Sequence, residues 1–372
     1  MAELSQRLGA DGADAEIHWA VQPEFSALVR AFACVTKVIE VPRPSRLRDY
    51  IRALRALRRE RYDLVIDLQG LLKSALIARF ARLGAPTSPS APAQKATPPH
   101  PPPARIASAD EDVGAPTLPP RVRRVGPSFA REGSRLFYDA LAGTLNKNRH
   151  AVDECMDILD FLKLGRPAAP IFPLTLPPSA APASATTSPR IALAPFSRWD
   201  SKNWPESHFA RLINILTEKR AAQIFIIGGK GDATAAEKII ELARTAAIPV
   251  PWQSPDPATK TEIINCAGKL SILESAALLK SCDCLITNDS GPMHIAAALG
   301  IPCVVPFGPT NPLRTGPYGA NHKILRAPEG TCELAPCRKK ICPKGTKACM
   351  SAITPEAALH LILRNFLVKS SH

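Results

Sequence analysis

Between Leu285 and Pro312 the chain reads LITNDSGPMHIAAALGIPCVVPFGPTNP, an apolar strand that ends in Asn288, Asp289, Ser290 and Gly291 directly before a small-residue helix. Those residue types suit a negatively charged ligand at a helix N-terminus. Asp289 and Ser290 can cap the helix, and Gly291 leaves out the side chain that would block an approaching group. The unpaired amides of the first turn and the field along the helix both favour a phosphate. His294, one turn in, can donate a hydrogen bond or simply pack. A carboxylate aimed at phosphates would repel them, so Asp289 fits better facing sugar hydroxyls. For any one of these residues a helix cap and nothing more remains an alternative.

Three other places in the same half carry comparable chemistry. PFSRWDSKNWP sets Ser197 and Arg198 after a strand end and Lys202 just before the helix opened by Trp204 and Pro205. Lysine is a compact cation suited to a phosphate beside a helix start; taken alone, a polar loop with a capping residue is the simpler account. IIGGKGD, Ile226 to Asp232, places glycines after a buried strand but lacks the full dinucleotide fingerprint, and a plain turn explains it as well. In NCAGKLSILESAALL, Gly268 and Lys269 precede an amphipathic helix, where helix-entry chemistry is the alternative.

These residues need a scaffold, and the pattern of the chain supplies one. AEIHWAV, VTKVIEVP and YDLVIDLQG read as strands, separated by the helices EFSALVRAF and RLRDYIRALRALRRER and followed by LLKSALIARFARLG. Such alternation predicts parallel βαβ units. EGSRLFYDALAGTLN and HAVDECMDILDFLKLG both show helical spacing. In the second half RIALAPFS, AQIFIIGG, CLITNDS and PCVVPFG read as strands among helices, again βαβ. The expected organisation is an N-terminal domain over 1–165, a linker over 166–189 and a C-terminal domain over 190–372. The last helix, TPEAALHLILRNFL, is a candidate to pack back across the domains. Residues 85 to about 127, rich in proline, alanine and serine, are expected to form a disordered insertion.

Composition sets outer limits. The 372 residues suffice for two domains, with 45% hydrophobic and 22% charged content typical of a globular protein, together with 38 prolines and a formal net charge of +14. No apolar run reaches bilayer length and no secretion signal is visible, so a cytoplasmic protein is expected. The charge suits anionic partners but does not choose among them. With 5% aromatic residues and scattered basic ones, a nucleic-acid role ranks low.

Taken together, NDSGPMHIAAALGIPCVVPFGPTNPLRTGPYG, SRWDSKNWPE upstream and AGKLSILESAALLKSCDCLI between them closely resemble glycosyltransferase family 9, the lipopolysaccharide heptosyltransferases. YDLVIDLQGLLKSALIARFA and REGSRLFYDALAGTLNKNRHAVDECMDIL resemble acceptor-domain segments of its heptosyltransferase I branch. The resemblance covers most of the chain outside the two proline-rich stretches. It implies the α/β GT-B architecture, two Rossmann-like domains facing a central cleft, with the donor held by the C-terminal one. It implies inverting transfer of heptose from ADP-heptose to the Kdo inner core of lipopolysaccharide, with no cofactor and no metal. By position, Lys202 matches the lysine on the donor diphosphate, with Ser197 and Arg198 in its loop. Asp289 matches the carboxylate on heptose hydroxyls, with Ser290, Gly291 and His294 in the same motif. The ribose-binding acid falls near GGKGD, where Lys230 takes its place and Asp232 is close by. Gln69, Gly70, Lys73 and Ser74 match the acceptor-side helix start.

The resemblance also places a first strand and a glycine-containing loop of the type SSLGD, with the proposed base, before Met1. Of a chain that starts at Met1, little or no transfer is expected. A transferase for another nucleotide sugar, or a nucleotide-sugar-binding relic without a base, are the alternatives. A monomer is expected, touching an anionic lipid acceptor and, through the basic helix, the inner face of the membrane; a solvated helix face explains that helix equally well. Cys332, Cys337, Cys342 and Cys349 are spaced C-x4-C-x4-C-x6-C, without the paired C-x2-C knuckles of most zinc sites. Free or packed thiols are favoured over a four-thiolate site. Cys282, Cys284 and Cys303 are expected in the core.

Overall fold

The computed structural model describes residues 15–43, 45–84, 122–168, 170–179, 188–219, 222–245 and 261–367. Residues 1–14 ahead of the first strand, most of the expected insertion (85–121) and part of the expected linker (180–187) lie outside them. The chain divides into two compact units: Met1–Asn146 with Val152–Pro173, and Lys147–Ala151 with Leu174–His372.

The first unit opens with β1 (His18–Val21), α1 (Ser26–Arg30), β2 (Lys37–Glu40) and α2 (Leu47–Leu57), continues with β3 (Val65–Ile66) and α3 (Leu72–Phe80), and then β4 (Arg124–Pro127) and β5 (Ala140–Ala142). The strands pair in parallel as two separate ladders, β1 with β2 and β3-β4-β5. β1 and β3 each have one ladder partner among the described residues, and both line a single largely apolar cavity of about 580 Å³ with Ile39, Val41, Leu57 and Ile77.

Two expectations for this unit are corrected. The insertion, expected to run to about 127, ends earlier, because Arg124–Pro127 is a strand with Val125 fully buried. Arg123 and Arg124 anchor it by donating to the carbonyls of Asp63, Gly84, Ala78 and Ala81. The EGSRLFYDALAGTLN segment is not one helix. It makes a short 3-10 turn, Ser134–Phe137, and then β5. Left-handed glycines at 133 and 143 bracket it, and Leu136, which a buried helix face would have covered, is 88% exposed. Pairing with β4 outweighs the local periodicity.

The helix α4 (Ala151–Phe161) leads to the second unit. There, β6 (Arg190–Ala194), α5 (Glu206–Lys219), β7 (Gln223–Ile226), α6 (Ala233–Thr245), β8 (Glu262–Asn265), α7 (Ile272–Lys280), β9 (Cys284–Thr287), α8 (Gly291–Ala298), β10 (Cys303–Pro306), α9 (Pro312–Thr315), β11 (Lys323–Leu325), α10 (Ala348–Ser351) and α11 (Pro355–Ile362) follow in order. All six strands are parallel, in the order β8-β7-β6-β9-β10-β11. Counted from β6 this is 3-2-1-4-5-6, the doubly wound order in which ligands bind beyond the strand ends where the order reverses, here between β6 and β9.

Alternation along β6 shows why helices cover both faces. Ile191 and Leu193 pack with Phe209, Ile213, Ile239 and Ile362 on one side, while Ala192 and Ala194 pack with Leu278, Met293 and Phe307 on the other. Each large aliphatic side chain so buried contributes about 1.5–3 kcal/mol. Local signals agree: Ser271 and Glu274 form a reciprocal capping box at the start of α7. The closing helix α11 buries Ala358 and Ile362 in the same cluster as α5, inside its own unit. Cys282, Cys284 and Cys303 are buried as expected.

Candidate functional site

The loops after β6 and β9 meet where the strand order reverses, and one residue joins them. Asn288, fully buried, accepts from Trp204 N (3.0 Å) and donates through Nδ2 to Pro195 O (2.5 Å) and Asn203 Oδ1 (3.4 Å). Asn203 Oδ1 in turn accepts from Ser197 N (2.8 Å). Trp204 locks the base of the loop, 1% exposed, with its indole N–H on Ile353 O (2.8 Å). A buried amide that satisfies this many backbone groups fixes a loop in one shape.

On that frame Lys202 and Asp289 come together. Lys202 Nζ lies 2.8 Å from Asp289 Oδ2, and Thr310 Oγ1 donates to the same oxygen at 2.7 Å. The ammonium also sits 4.7 Å over the Trp199 ring, a cation–π contact that holds the lysine in place. The pair is largely shielded, the lysine side chain 16% and the carboxylate 6% exposed. Asp289 Oδ1 has no hydrogen bond among the described residues. Ser197 Oγ donates to Asp289 O at 3.4 Å. Arg198 is exposed without an ion pair among those residues.

The capping expectation is corrected here. Ser290 occupies the N-cap position of α8, yet neither it nor Asp289 makes a side-chain cap bond; Asp289 is turned to Lys202 and Thr310 instead. The first-turn amides of α8 are therefore left for another acceptor, and a Cβ placed on Gly291 would meet nothing within 4 Å. His294 keeps an exposed face while protein crowds the rest of its ring. That desolvation, against Asp289 and with help from His150 and Lys202, lowers its pKa from the usual histidine value.

The two glycine loops also meet. Gly268 N donates to Gly228 O (3.0 Å), and a Cβ on Gly268 would approach Lys230 Cα to 3.2 Å. Asp232 closes its own turn by accepting from Gly229 N (2.7 Å), while Lys230 is exposed. The acceptor-side residues divide similarly. Gly70, at φ 64°, would clash through a Cβ with Pro127 Cγ at 2.8 Å, and Ser74 Oγ is spent on the Leu71 N–H and carbonyl. Asp67 holds the turn from beneath, accepting from Gln69 N (2.7 Å), Gly70 N (3.2 Å) and Tyr138 OH (2.6 Å). Gln69 and Lys73 are left exposed beside the 580 Å³ cavity. Among the described residues no group of three or more His, Cys, Asp or Glu side chains is placed to hold a metal ion.

Sequence reading missed Thr310, Asn288 and Trp199 as parts of the site. For Asn288 a signal existed, a polar residue closing an apolar strand. Thr310 had none, since its reach to Asp289 depends on β9 and β10 being neighbours.

The doubly wound unit places a lysine, a carboxylate and an open helix end where its strand order reverses, the position at which such sheets bind ligands. The chain belongs to glycosyltransferase family 9 (heptosyltransferase), which matches residues 50–88 and 128–348. It is similar to lipooligosaccharide heptosyltransferase 2 of Haemophilus influenzae, 34% identical over 43% of this chain and 42% of that protein. It is also similar to lipopolysaccharide heptosyltransferase 1 of Pseudomonas aeruginosa, 26% identical over 88% of this chain and 79% of that one. The chain thus spans less than half the length of the heptosyltransferase 2 relatives it matches. In fold it is similar to the E. coli heptosyltransferase WaaC with ADP, with a TM-score of 0.62 at 23% identity over 94% of this chain and 90% of that one. The α/β, GT-B expectation is met at the level of fold.

Proposed function

We propose that the chain is an inverting glycosyltransferase that moves heptose from ADP-heptose to the Kdo inner core of lipopolysaccharide. The observation that carries this reading is Lys202 and Asp289 held together beside the open N-terminus of α8, in a chain of the heptosyltransferase family. An acceptor hydroxyl oxygen attacks C1 of the heptose as the bond from C1 to the diphosphate oxygen breaks; the hydroxyl proton leaves to a base. Lys202 and the α8 amides stabilise the departing ADP, and Asp289 Oδ1 accepts from heptose hydroxyls. Ser197, Arg198, Ser290 and His294 line the donor in this reading, with Asp232 close to the ribose. Gln69 and Lys73 meet the phosphorylated acceptor, and Gly70 and Ser74 shape the turn that carries them.

The lipid acceptor brings the basic helix α2 to an anionic surface, where Arg48, Arg52 and Arg55 are exposed. Among the described residues no helix is long and apolar enough to cross a membrane, so contact through α2 is peripheral. The test is transfer from ADP-heptose to Kdo-lipid A in anionic vesicles, at rising salt. Heptosylated product whose yield falls with salt is expected of the transferase reading, against the little or no transfer expected of a chain without the base segment. ADP-heptose binding without product over long incubation leaves the binding relic standing and the transferase reading refuted.

A further inference from the structure

The segment between β11 and α10 is an irregular loop that carries Cys332, Cys337 and Cys342 and leads to Cys349 on α10, all four free thiols. They line one cavity of about 10 Å³ with Ser201, Pro309, Lys344 and Lys347. No residue from 328 to 349 is buried, so apolar packing does not hold this loop in shape. Its ties run to the donor site. Ser201 N and Oγ donate to Lys340 O (3.1 Å) and Lys339 O (2.5 Å), and Lys347 Nζ bonds Asp200 Oδ1 (2.9 Å). Arg338 N donates to Pro309 O at 2.8 Å. Cys349 Sγ presses on Gly308, where a Cβ would come within 2.7 Å of it. The loop therefore grips both segments that bear on Asp289, the one with Lys202 and the one with Thr310.

The four sulfurs are not alike. Cys342 is partly exposed, and the backbone N–H groups of Lys347, Lys344, Gly345 and Thr346 turn toward its sulfur. Left-handed φ angles of 70° at Gly345 and 48° at Lys347 bend the chain around it. This concave set of amides favours an anion and lowers the Cys342 pKa. Cys349 goes the other way, pushed up to about 11 by burial and then by the three neighbouring sulfurs. A partly exposed thiol favoured toward its charged form, in one cavity with three other cysteines, is an arrangement in which an oxidised sulfur can be trapped by a partner.

We propose that Cys342 is a peroxide-reactive thiol and that one of Cys332, Cys337 and Cys349 closes a disulfide with it, loosening the donor site. The Cys342 thiolate attacks one oxygen of hydrogen peroxide; the O–O bond breaks, giving a sulfenic acid and hydroxide, which takes up a proton to become water. A neighbouring thiol then loses its proton and attacks the sulfenic sulfur, forming the S–S bond and releasing a second water. Peroxide gains the two electrons that the two thiols give up. The link shortens the loop and shifts its anchors on Ser201 and Pro309; the effect on the donor rests on the proposed function.

The test treats the full-length chain with hydrogen peroxide and maps the peptides by mass spectrometry without reduction. Expected are a transient sulfenic acid on Cys342, caught by a sulfenic-acid trap, and then a disulfide from Cys342 to one of the other three. ADP affinity is expected to fall about tenfold, within the usual range for coupling between sites, and to return with dithiothreitol, while Cys342→Ser is insensitive. Oxidation spread evenly over the cysteines, or one equivalent of zinc or iron held by the four with no disulfide formed, overturns the proposal. A disulfide without change in ADP affinity overturns the coupling. ADP that binds neither state refutes the donor reading and leaves the thiol chemistry standing.

Discussion

Lys202 and Asp289 neutralise each other, and that sets what their removal does. Taking away one charge leaves the other nearly buried and short of a partner, a loss of about 1–3 kcal/mol. Lys202→Met and Asp289→Asn should each lower stability by that amount in denaturant titration. The double variant should recover part of it, because no unpaired charge remains. Donor affinity should behave differently: each single variant weakens ADP-heptose binding, and the double variant stays weak. A double variant that regains binding would mean that the pair is only structural. At this scale the sequence was informative about residue types and silent about pairing. Lys202 and Asp289 stood out as candidate ligand-binding groups, but their contact with each other depends on β6 and β9 lying side by side.

At the scale of elements, α8 offers the cleanest separation of fold from function. Its Gly291 has an ordinary backbone, and an added methyl would meet no protein atom. Gly291→Ala should therefore leave stability within about 0.5 kcal/mol of the parent, the range of neutral surface changes. ADP binding should weaken all the same if the donor meets the helix end as proposed, because the methyl would intrude there. Calorimetry with ADP beside thermal unfolding checks both halves. The strands and helices of the second unit were readable because buried parallel strands are nearly continuous apolar runs and the covering helices are amphipathic. β5 was not. Three residues that owe their extended shape to β4 leave no local trace, and the flanking Leu136 and Phe137 mimic a helix.

Across the molecule, partial desolvation disfavours the charged form of several histidines. His208, His294 and His322 all have lowered pKa values, desolvation being the first cause in each. A histidine with a depressed folded pKa contributes stability that is complete above its unfolded value, about 6.5, and is lost as pH falls below it. The melting temperature should therefore decline between pH 7.5 and 5.5, and His294→Gln should flatten the slope. The carboxylates with lowered values, Glu40, Glu60, Glu274 and Glu333, matter only in stronger acid. A slope unchanged in the variant would assign the acid sensitivity elsewhere.

The two ladders of the first unit carry a consequence of another kind. In the second unit β6 stands between β7 and β9; in the first, β1 and β3 face the 580 Å³ cavity instead. The cavity opens to solvent beside the exposed Gln69 and Lys73, so water enters it. Filled with water, it leaves two strand edges and an apolar floor wetted. Those edges and that floor are where an extended apolar segment would find both backbone partners and burial.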